Sequence, residues 1–494
     1  MPNLAPLVSA LRTWLPILGI SLLLGACATG APPRSAYVAL PPAYDSALTA
    51  APATSLNQWW TLYDDAQLTA LTSRALAQGF SVREALARLQ EARALRSVSL
   101  AKFDLQGDLQ GNAEYRQTRD LESHNTSIPA GLPAGLDLGP GVDRTSIAKT
   151  ANLSLPVSWE LDLFGRRGAT QRSAEADVET ARFEVEAARA AIAAEVARSL
   201  FQARGLHVQR DEARETLRIQ QDLMALVTER ARRGLTPSSE VDRVASDVAQ
   251  AEAQAEDFNA ALLAARRALL AVVGNGTDPL AELEVTPTLG EVPTMPATLP
   301  GDLLTRRPDV RKATAQIERA ANQVRLAELA FFPRLTLNPG AGLSIQRGAL
   351  DASSIFWSLG AGLTMPILDR PRLKAQLAIE GARAEQAVLA YERTVQTAFS
   401  EADQSLVRLL ADRRRVSTLA GGEMRARTAY SAALRRYELG FADLQELLDA
   451  ERAWRTTRSA LTGAKVEALQ RSVQAFQALG GGWNAAQSQP ISDR

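Results

Sequence analysis

Few residues of this chain are of a type that could carry out chemistry. The sequence contains only two histidines, His124 and His207, and a single cysteine, Cys27. Zinc, haem and thiol sites need several imidazole or thiolate ligands close together, so no metal site is expected. Neither histidine lies in a motif such as HExxH, and no nucleophile is grouped with a base. The sequence therefore predicts no catalytic residues, no metal and no cofactor apart from a covalent lipid, and the protein is not expected to be an enzyme.

Cys27 is the residue at which that lipid is expected. An apolar run from Trp14 to Leu24, too short to cross a membrane as a mature helix, follows Arg12 and leads to the tetrapeptide LGAC ending at Cys27. This pattern resembles a lipobox and predicts a signal peptide over residues 1–26, with Cys27 acylated as the first mature residue. An ordinary secretory signal with an incidental cysteine is the alternative.

The residues after Cys27 indicate where such a lipoprotein would be sorted. Ala28 is not the aspartate that retains lipoproteins in the inner membrane, so the outer membrane is the expected location. Residues 27–64 are predicted to be a lipid-anchored extended segment, since the start of this range is rich in Ala and Pro. Lys+Arg and Asp+Glu both number 55, and this balance gives no reason to expect nucleic acid as a partner.

Four stretches alternate apolar and polar residues as β-strands do when their two faces meet different surroundings. From Leu105 to Arg116 the alternation has no exception, and Thr150 to Leu163 repeats it. Leu335 to Gln346 and Trp357 to Ile367 are weaker examples. Each has about the length that a tilted membrane strand needs. The alternative is a soluble sheet with one wet face, which long helices elsewhere in the chain argue against.

Most of the remaining sequence is predicted to be long helix. Small and apolar residues recur three and four positions apart, the period of supercoiled packing, in three segments: Ala174 to Ile192, Val241 to Val272 and Leu377 to Ala402.

The chain also reads as a tandem duplication. Val82, Ala85 and Leu89 align without gaps with Val310, Ala313 and Ile317, at an offset of 228 residues. The predicted domains are a first repeat, a linker, a second repeat and a C-terminal tail, at 65–274, 275–300, 301–478 and 479–494. The first repeat contains a β-hairpin at about 105–163 and helices at about 168–233 and 238–273. The second contains a hairpin at about 335–368 and helices at about 371–438 and 443–477.

The predicted fold class is therefore mixed α and β, with long antiparallel helical coiled coils and two β-hairpins. Four strands cannot close a barrel, whereas a dimer would supply eight and a trimer twelve. The sequence patterns alone leave this choice open, although twelve strands give a better lumen.

Several motifs resemble those of the outer membrane factor family, the TolC-like and OprM-like channels, and within it the NodT-type lipoproteins of RND efflux systems. They are the LGAC lipobox, WWTLYDDAQL from Trp59, LPGDLLTRRPDV from Leu299, ELDLFGRR, AFFPRL, and YELGFADLQELLDAE from Tyr437. The resemblance covers nearly the whole mature chain. It implies a homotrimer with a twelve-stranded outer-membrane β-barrel and a periplasmic α-barrel.

The resemblance also implies partners and a role. Such channels dock onto a periplasmic adaptor (membrane fusion) protein and an inner-membrane RND pump, and they conduct drugs or small toxic compounds through a gated tunnel to the exterior. Outer membrane lipid is the remaining expected partner. Ducts of type I protein secretion and of metal-ion efflux are similar, and these two functions stay open as alternatives.

Two helix–helix turns are the candidate adaptor contacts. Each places a glycine between long predicted helices, and the candidates are Gly234 and Leu235 in the first turn and Gly440 and Phe441 in the second. The resemblance to the family assigns docking to them.

The candidate gate follows the second turn. Glu446 and Asp449 lie three residues apart on one predicted helix face, so three copies would bring six carboxylates around one axis. Tyr437, Gly440 and both acidic residues match the spacing of the gate segment in TolC-like channels. Ala442 replaces an arginine that ties neighbouring subunits in some relatives, so closure is expected to depend on other contacts, including Tyr437.

Overall fold

The computed structural model describes residues 36–44, 56–119, 145–296, 298–347 and 351–483. The predicted signal peptide, Cys27 and His124 lie outside these residues. The described chain is helix-rich and mixed α and β, which confirms the predicted fold class at this level.

The α-helices of the described chain differ widely in length, from 4 to 69 residues. They are α1 (Ala66–Gln78), α2 (Phe80–Ala101), α3 (Arg166–Arg232), α4 (Ser238–Val273), α5 (Leu303–Arg306), α6 (Pro308–Leu329), α7 (Arg370–Glu438) and α8 (Leu444–Ala478). Helix α3 has 67 residues and α7 has 69, far beyond the length of an ordinary globular helix. No helix in the described part of the chain is apolar enough over sufficient length to cross a membrane.

The strands pair into one antiparallel sheet. They are β1 (Gln106–Gly107), β2 (Gln110–Arg119), β3 (Thr145–Leu161), β4 (Arg334–Arg347) and β5 (Ala352–Thr364). Strands β1 and β2 both pair with β3, so they form one arm that is interrupted at Asp108 and Leu109. Strand β3 pairs with β4, and β4 pairs with β5. The uninterrupted strand predicted from Leu105 is thus wrong at this break.

The chain divides into two compact units. Among the described residues, the sheet unit comprises Ala94–Glu175 and Arg319–Ala384, and the helical unit comprises Arg34–Arg93, Ala176–Glu318 and Glu385–Arg494.

The sheet unit has an open sheet with two unpaired edges. The arm made by β1 and β2 forms one edge and β5 forms the other, and neither has a further partner strand in the described chain. Strand β5 exposes large apolar side chains on alternate residues: Ile355, Trp357, Leu359 and Leu363 are each at least 70% exposed. Unpaired edges and exposed apolar side chains are features that natural sheets normally cover.

The helical unit is built around one main hydrophobic core. Its largest fully buried side chains include Trp59, Phe201, Phe476, Leu269 and Leu409. A second cluster, at the other ends of the long helices, contains Val227, Val244, Tyr437, Leu447 and Trp454.

The helical repeat predicted for α4 is confirmed by burial. Val244, Ala251, Ala255, Leu262 and Leu269 are all buried, and the residues between them in the repeat are half-buried. The three- and four-residue spacing therefore marks the packed face of this helix.

The extended segment predicted through residue 64 is wrong at its end. Leu56–Tyr63 forms 3₁₀ helix, because its aromatic residues pack into the main core. The Trp59 ring stacks on Phe476 with centroids 5.3 Å apart, and the Tyr63 hydroxyl lies 2.5 Å from Ser472 Oγ. Burial of these aromatic rings fixes the segment against α8.

The tail predicted from residue 479 begins later than expected. Leu479 is buried, and Trp483 donates its indole N–H to the carbonyl of Arg306 over 2.8 Å. Positive φ angles at Gly480 and Gly482 let the chain turn back after α8.

Candidate functional site

Two turns of the same geometry join the long helices of the helical unit. Gly234 follows α3 with φ 72°, and Gly440 follows α7 with φ 79°. The next residue in each turn donates its N–H back to the last helical turn, from Leu235 to the Arg230 carbonyl over 2.9 Å and from Phe441 to Arg436 over 2.7 Å. This is the Schellman arrangement, in which glycine takes a left-handed conformation that residues with a Cβ adopt at a cost.

Both turns present apolar side chains outward. Leu235 is 66% exposed and Phe441 is 74% exposed, and Leu439 beside the second turn is 71% exposed. Large apolar side chains at such exposure are characteristic of contact surfaces. The candidate docking residues are therefore accessible on this chain.

Tyr437 is held between the two turns. Its ring is buried, and the Arg230 guanidinium lies over it at 4.7 Å from the ring centroid. Arg230 Nη1 also donates to the Tyr437 carbonyl over 3.3 Å. Arg230 thus connects the end of α3 to the end of α7 through stacking and a hydrogen bond.

The Tyr437 hydroxyl is buried and makes no hydrogen bond within the described part of the chain. Burial raises the pKa of this hydroxyl, and the nearby Glu240 raises it further while Arg230 opposes the rise. Glu240 itself accepts a hydrogen bond from the Thr236 hydroxyl in the first turn. Tyr437 is therefore a neutral donor at physiological pH.

Glu446 lies in the first turn of α8 and is exposed. Its backbone N–H is capped by Asp443 Oδ1 at 2.7 Å, which fixes the start of the helix. Its carboxylate forms an ion pair with Arg436 of the same chain. The Arg436 guanidinium also donates to the Phe441 carbonyl over 3.1 Å.

Asp449 lies one helical turn later and is also exposed. Gln445 donates its side-chain N–H groups to both carboxylate oxygens of Asp449, over 3.0 Å and 2.9 Å. The carbonyl oxygen of the same Gln445 side chain accepts from Arg243 Nη1 over 2.5 Å. Asp449 is thereby linked to an arginine on α4 through one amide. Leu447 and Leu448, which lie between the two acidic residues, are buried, so Glu446 and Asp449 share the outer face of α8.

The sequence analysis identified the acidic residues but missed Arg230, Arg243, Gln445 and Arg436. A signal existed for Arg436, since it and Glu446 lie five residues before and after Phe441. Residues equidistant from a tight turn between antiparallel helices face each other, so an oppositely charged pair there predicts an ion pair. No comparable spacing indicates Arg230 or Arg243, because their contacts depend on how separate helices pack.

The family model described as "Outer membrane efflux protein" matches residues 71–275 and 299–481. The chain belongs to the outer membrane efflux protein family. The two matched segments contain both turns and all strands of the described sheet.

Individual relatives of this outer membrane efflux protein cover nearly the same length. The pyoverdine export outer membrane protein OpmQ of Pseudomonas aeruginosa is 28% identical over 95% of this chain and 97% of its own. The outer membrane protein OprJ of the same species is 30% identical over 87% of each chain. The solved structure of the outer-membrane channel OprN superposes with a TM-score of 0.77 at 26% identity, covering 92% of this chain and all of that one.

The membership confirms the family predicted from the sequence motifs, and it places the protein in the outer membrane as an efflux component. It agrees with the prediction that the protein is a channel component rather than an enzyme.

Proposed function

We propose that this chain is one subunit of a homotrimeric outer-membrane channel, the exit duct of a tripartite RND-type efflux pump. The observation that carries the proposal is the open sheet, whose two edges lack partners and whose strand β5 exposes large apolar side chains. A sheet of this kind is stable in a membrane only when its edges are closed and its apolar face meets lipid.

Closure by three copies accounts for the strand number. Each chain supplies four strand arms, so three chains give the twelve strands of a barrel with an open lumen. The long helices of three copies form the periplasmic tunnel in this proposal. Both hairpins belong to repeats of one duplicated unit, and the acylated Cys27 anchors each subunit to the membrane.

The proposed partners are a periplasmic adaptor and an inner-membrane RND pump. The two turns with exposed Leu235 and Phe441 support this assignment, because three copies would present six apolar turns at one end. The proposed cargo is small toxic organic compounds. Two relatives from Pseudomonas putida, the outer membrane proteins SrpC and TtgI, are named for the efflux of solvent and of toluene, and these names support the class of cargo.

Complementation of an efflux-deficient strain tests the function. We expect expression of this chain, with its adaptor and pump, to raise resistance to a panel of drugs and solvents severalfold. The same strain is challenged with copper and silver salts and assayed for a type I secreted protein. Resistance to the metals alone, or rescue of secretion alone, would replace the proposed cargo by one of the two alternatives. The absence of any trimeric pore in planar bilayers would refute the channel itself.

We further propose that Glu446, Asp449 and Tyr437 form the gate at the periplasmic end. The exposure of both carboxylates on α8 beside the second turn supports this. Replacing Glu446 and Asp449 together by Ala should raise the single-channel conductance and weaken block by divalent cations, because rings of carboxylates constrict and bind cations. Glu438→Ala is the matched control, since Glu438 is an exposed carboxylate at the end of α7. Equal conductance and block in the double variant and the control would remove both residues from the gate.

A further inference from the structure

Each acidic residue of the proposed gate has a positive partner within its own chain. Arg436 pairs directly with Glu446, and Arg243 reaches Asp449 through the side chain of Gln445. The two arginines belong to different helices, α7 and α4, so two separate elements supply positive charge to the same face of α8.

The Arg436 guanidinium contacts two acceptors at once, one on a side chain and one on the backbone. One guanidinium nitrogen binds the Glu446 carboxylate and another donates to the Phe441 carbonyl over 3.1 Å. The planar fork of arginine can serve two acceptors at once, and its charge does not titrate at physiological pH. The side chain therefore spans the second turn from α7 to α8.

The Arg243 contact is indirect but directional. The Gln445 carbonyl accepts from Arg243 over 2.5 Å, and its amide then donates to both oxygens of Asp449 over 3.0 Å and 2.9 Å. The amide is therefore held in one orientation by charges at both ends, an arrangement in which hydrogen bonds strengthen one another. The Arg243 guanidinium thus lies on the far side of the Gln445 amide that binds Asp449.

We propose that Arg436 and Arg243 determine the ionic selectivity of the gate by compensating its carboxylates within each subunit. This inference rests on the proposed channel function and on the proposed gate. Without the two arginines the six carboxylates would act as an uncompensated cation site, whereas with them the entrance carries little net charge. Such an entrance selects less strongly for cations, and divalent cations block it less strongly, than an uncompensated ring of six carboxylates would.

The size of the effect follows from exposure and symmetry. The side chains of Arg436 and Glu446 are 55% and 42% exposed, so one pair is screened and worth about a twofold change in cation affinity. Three copies face one axis in a trimer, so the effects multiply to roughly eightfold.

The test is block of single channels by magnesium, measured on purified full-length trimers in planar bilayers. Arg436→Gln should lower the half-blocking concentration by about eightfold and shift the reversal potential toward cation selectivity. Arg243→Gln should change the half-blocking concentration and the reversal potential in the same direction, but by less, because Arg243 contacts Asp449 only through Gln445. Arg435→Gln is the matched control, since the exposed Arg435 donates to the Ser431 carbonyl and pairs with no carboxylate in the described part of the chain. Arg436→Lys keeps the charge and should stay near wild type.

Each outcome decides a different point. Block and selectivity that are the same in Arg436→Gln and Arg435→Gln would overturn the inference and leave the channel function intact. An equal change in Arg436→Lys and Arg436→Gln would overturn it too, because the effect would then come from the lost fork rather than the lost charge. Wild-type trimers that carry no current would overturn the proposed function and this inference together.

Discussion

At the scale of single residues, the contact of Arg230 with Tyr437 links the two turns between the long helices. The sequence spacing identifies Tyr437, but its environment comes from α3, more than 200 residues earlier in the chain. Rotation of the Tyr437 side chain would break the stacking on Arg230, while the hydrogen bond from Arg230 to the Tyr437 carbonyl holds the backbone of the same residue. Arg230 is therefore expected to position Tyr437 in the closed state.

Replacing Arg230 by Ala tests this role. The variant should lose about 1–2 kcal/mol of stability at this end of the helices, from the cation–π contact and one hydrogen bond. It should also raise the frequency of spontaneous openings in single-channel recordings. Arg232→Ala is the control, because Arg232 is exposed and its ion-pair partner among the described residues is Glu229, three residues away on the same helix. Openings that are equally frequent in both variants would show that Arg230 does not hold the tyrosine.

Site residues could be predicted from the sequence where they lie close together along the chain. Glu446 and Asp449 could be identified because, together with Tyr437 and Gly440, they match the spacing of the gate segment in TolC-like channels, and their exposure on α8 agrees with a shared helix face. The arginines that compensate the charge of these carboxylates could not be identified. Arg243, for example, belongs to a helix that ends some 170 residues before α8 begins. Pairing between side chains of different helices depends on which helix faces pack together. A single sequence indicates which face of a helix is buried, but not which other helix covers it.

At the scale of elements, the alternation of apolar and polar residues correctly predicted that these segments form strands with two different faces. Leu153 lies opposite Leu343, and Asn152 lies opposite Ser344 with a hydrogen bond of 2.7 Å between their side chains. Apolar and polar pairs thus alternate across β3 and β4, as expected for two faces in different surroundings. The break at Asp108 and Leu109 was missed, because alternation of residue types continues through it and cannot report a local loss of pairing.

Arginine scanning of neighbouring strand residues tests which face meets lipid. Leu155→Arg and Leu343→Arg should each cost about 2–4 kcal/mol near the middle of the bilayer and reduce the yield of heat-resistant trimer. Ser154→Arg and Ser344→Arg, on the opposite face, should retain most of the yield because charge is tolerated in a wet lumen. A loss of yield that does not depend on the face would show that the alternation has been misread.

The N-terminal 3₁₀ segment was recognised as a family motif, but its conformation was predicted wrongly. The WWTLYDDAQL motif supported the family resemblance, yet Leu56–Tyr63 was predicted as extended. Its conformation is determined by the pockets that receive Trp59 and Tyr63 between distant helices, and short-range pattern does not encode such pockets.

At the scale of the whole molecule, the two turns are expected to meet the adaptor. A photo-crosslinking amino acid placed at Leu235 or Phe441 should capture the adaptor in cells, because both side chains are exposed and apolar. Ile355 on strand β5 is the control position, since its side chain is 86% exposed in the sheet unit. Adaptor captured from Ile355 and not from the turns would move the interface to the strands.

The lipid anchor is tested by mass. The mature protein should carry the mass of a thioether-linked diacylglycerol and an N-acyl chain, and Cys27→Ser should lose it, because the sequence has no other cysteine. Insertion of the trimer should survive in part, since the strands interact with the membrane independently of the anchor. An unchanged acyl mass in the variant would exclude Cys27 as the attachment site.

The unpaired edges of the sheet have a genetic consequence. Each edge is completed by another subunit in the proposed trimer, so a chain with one damaged edge still joins its neighbours through the intact one. In a cell that makes equal amounts of normal and damaged chains, only about one trimer in eight would consist of three normal subunits. Substitutions on β5 or on the β1–β2 arm should therefore be dominant, whereas substitutions that prevent folding altogether should be recessive.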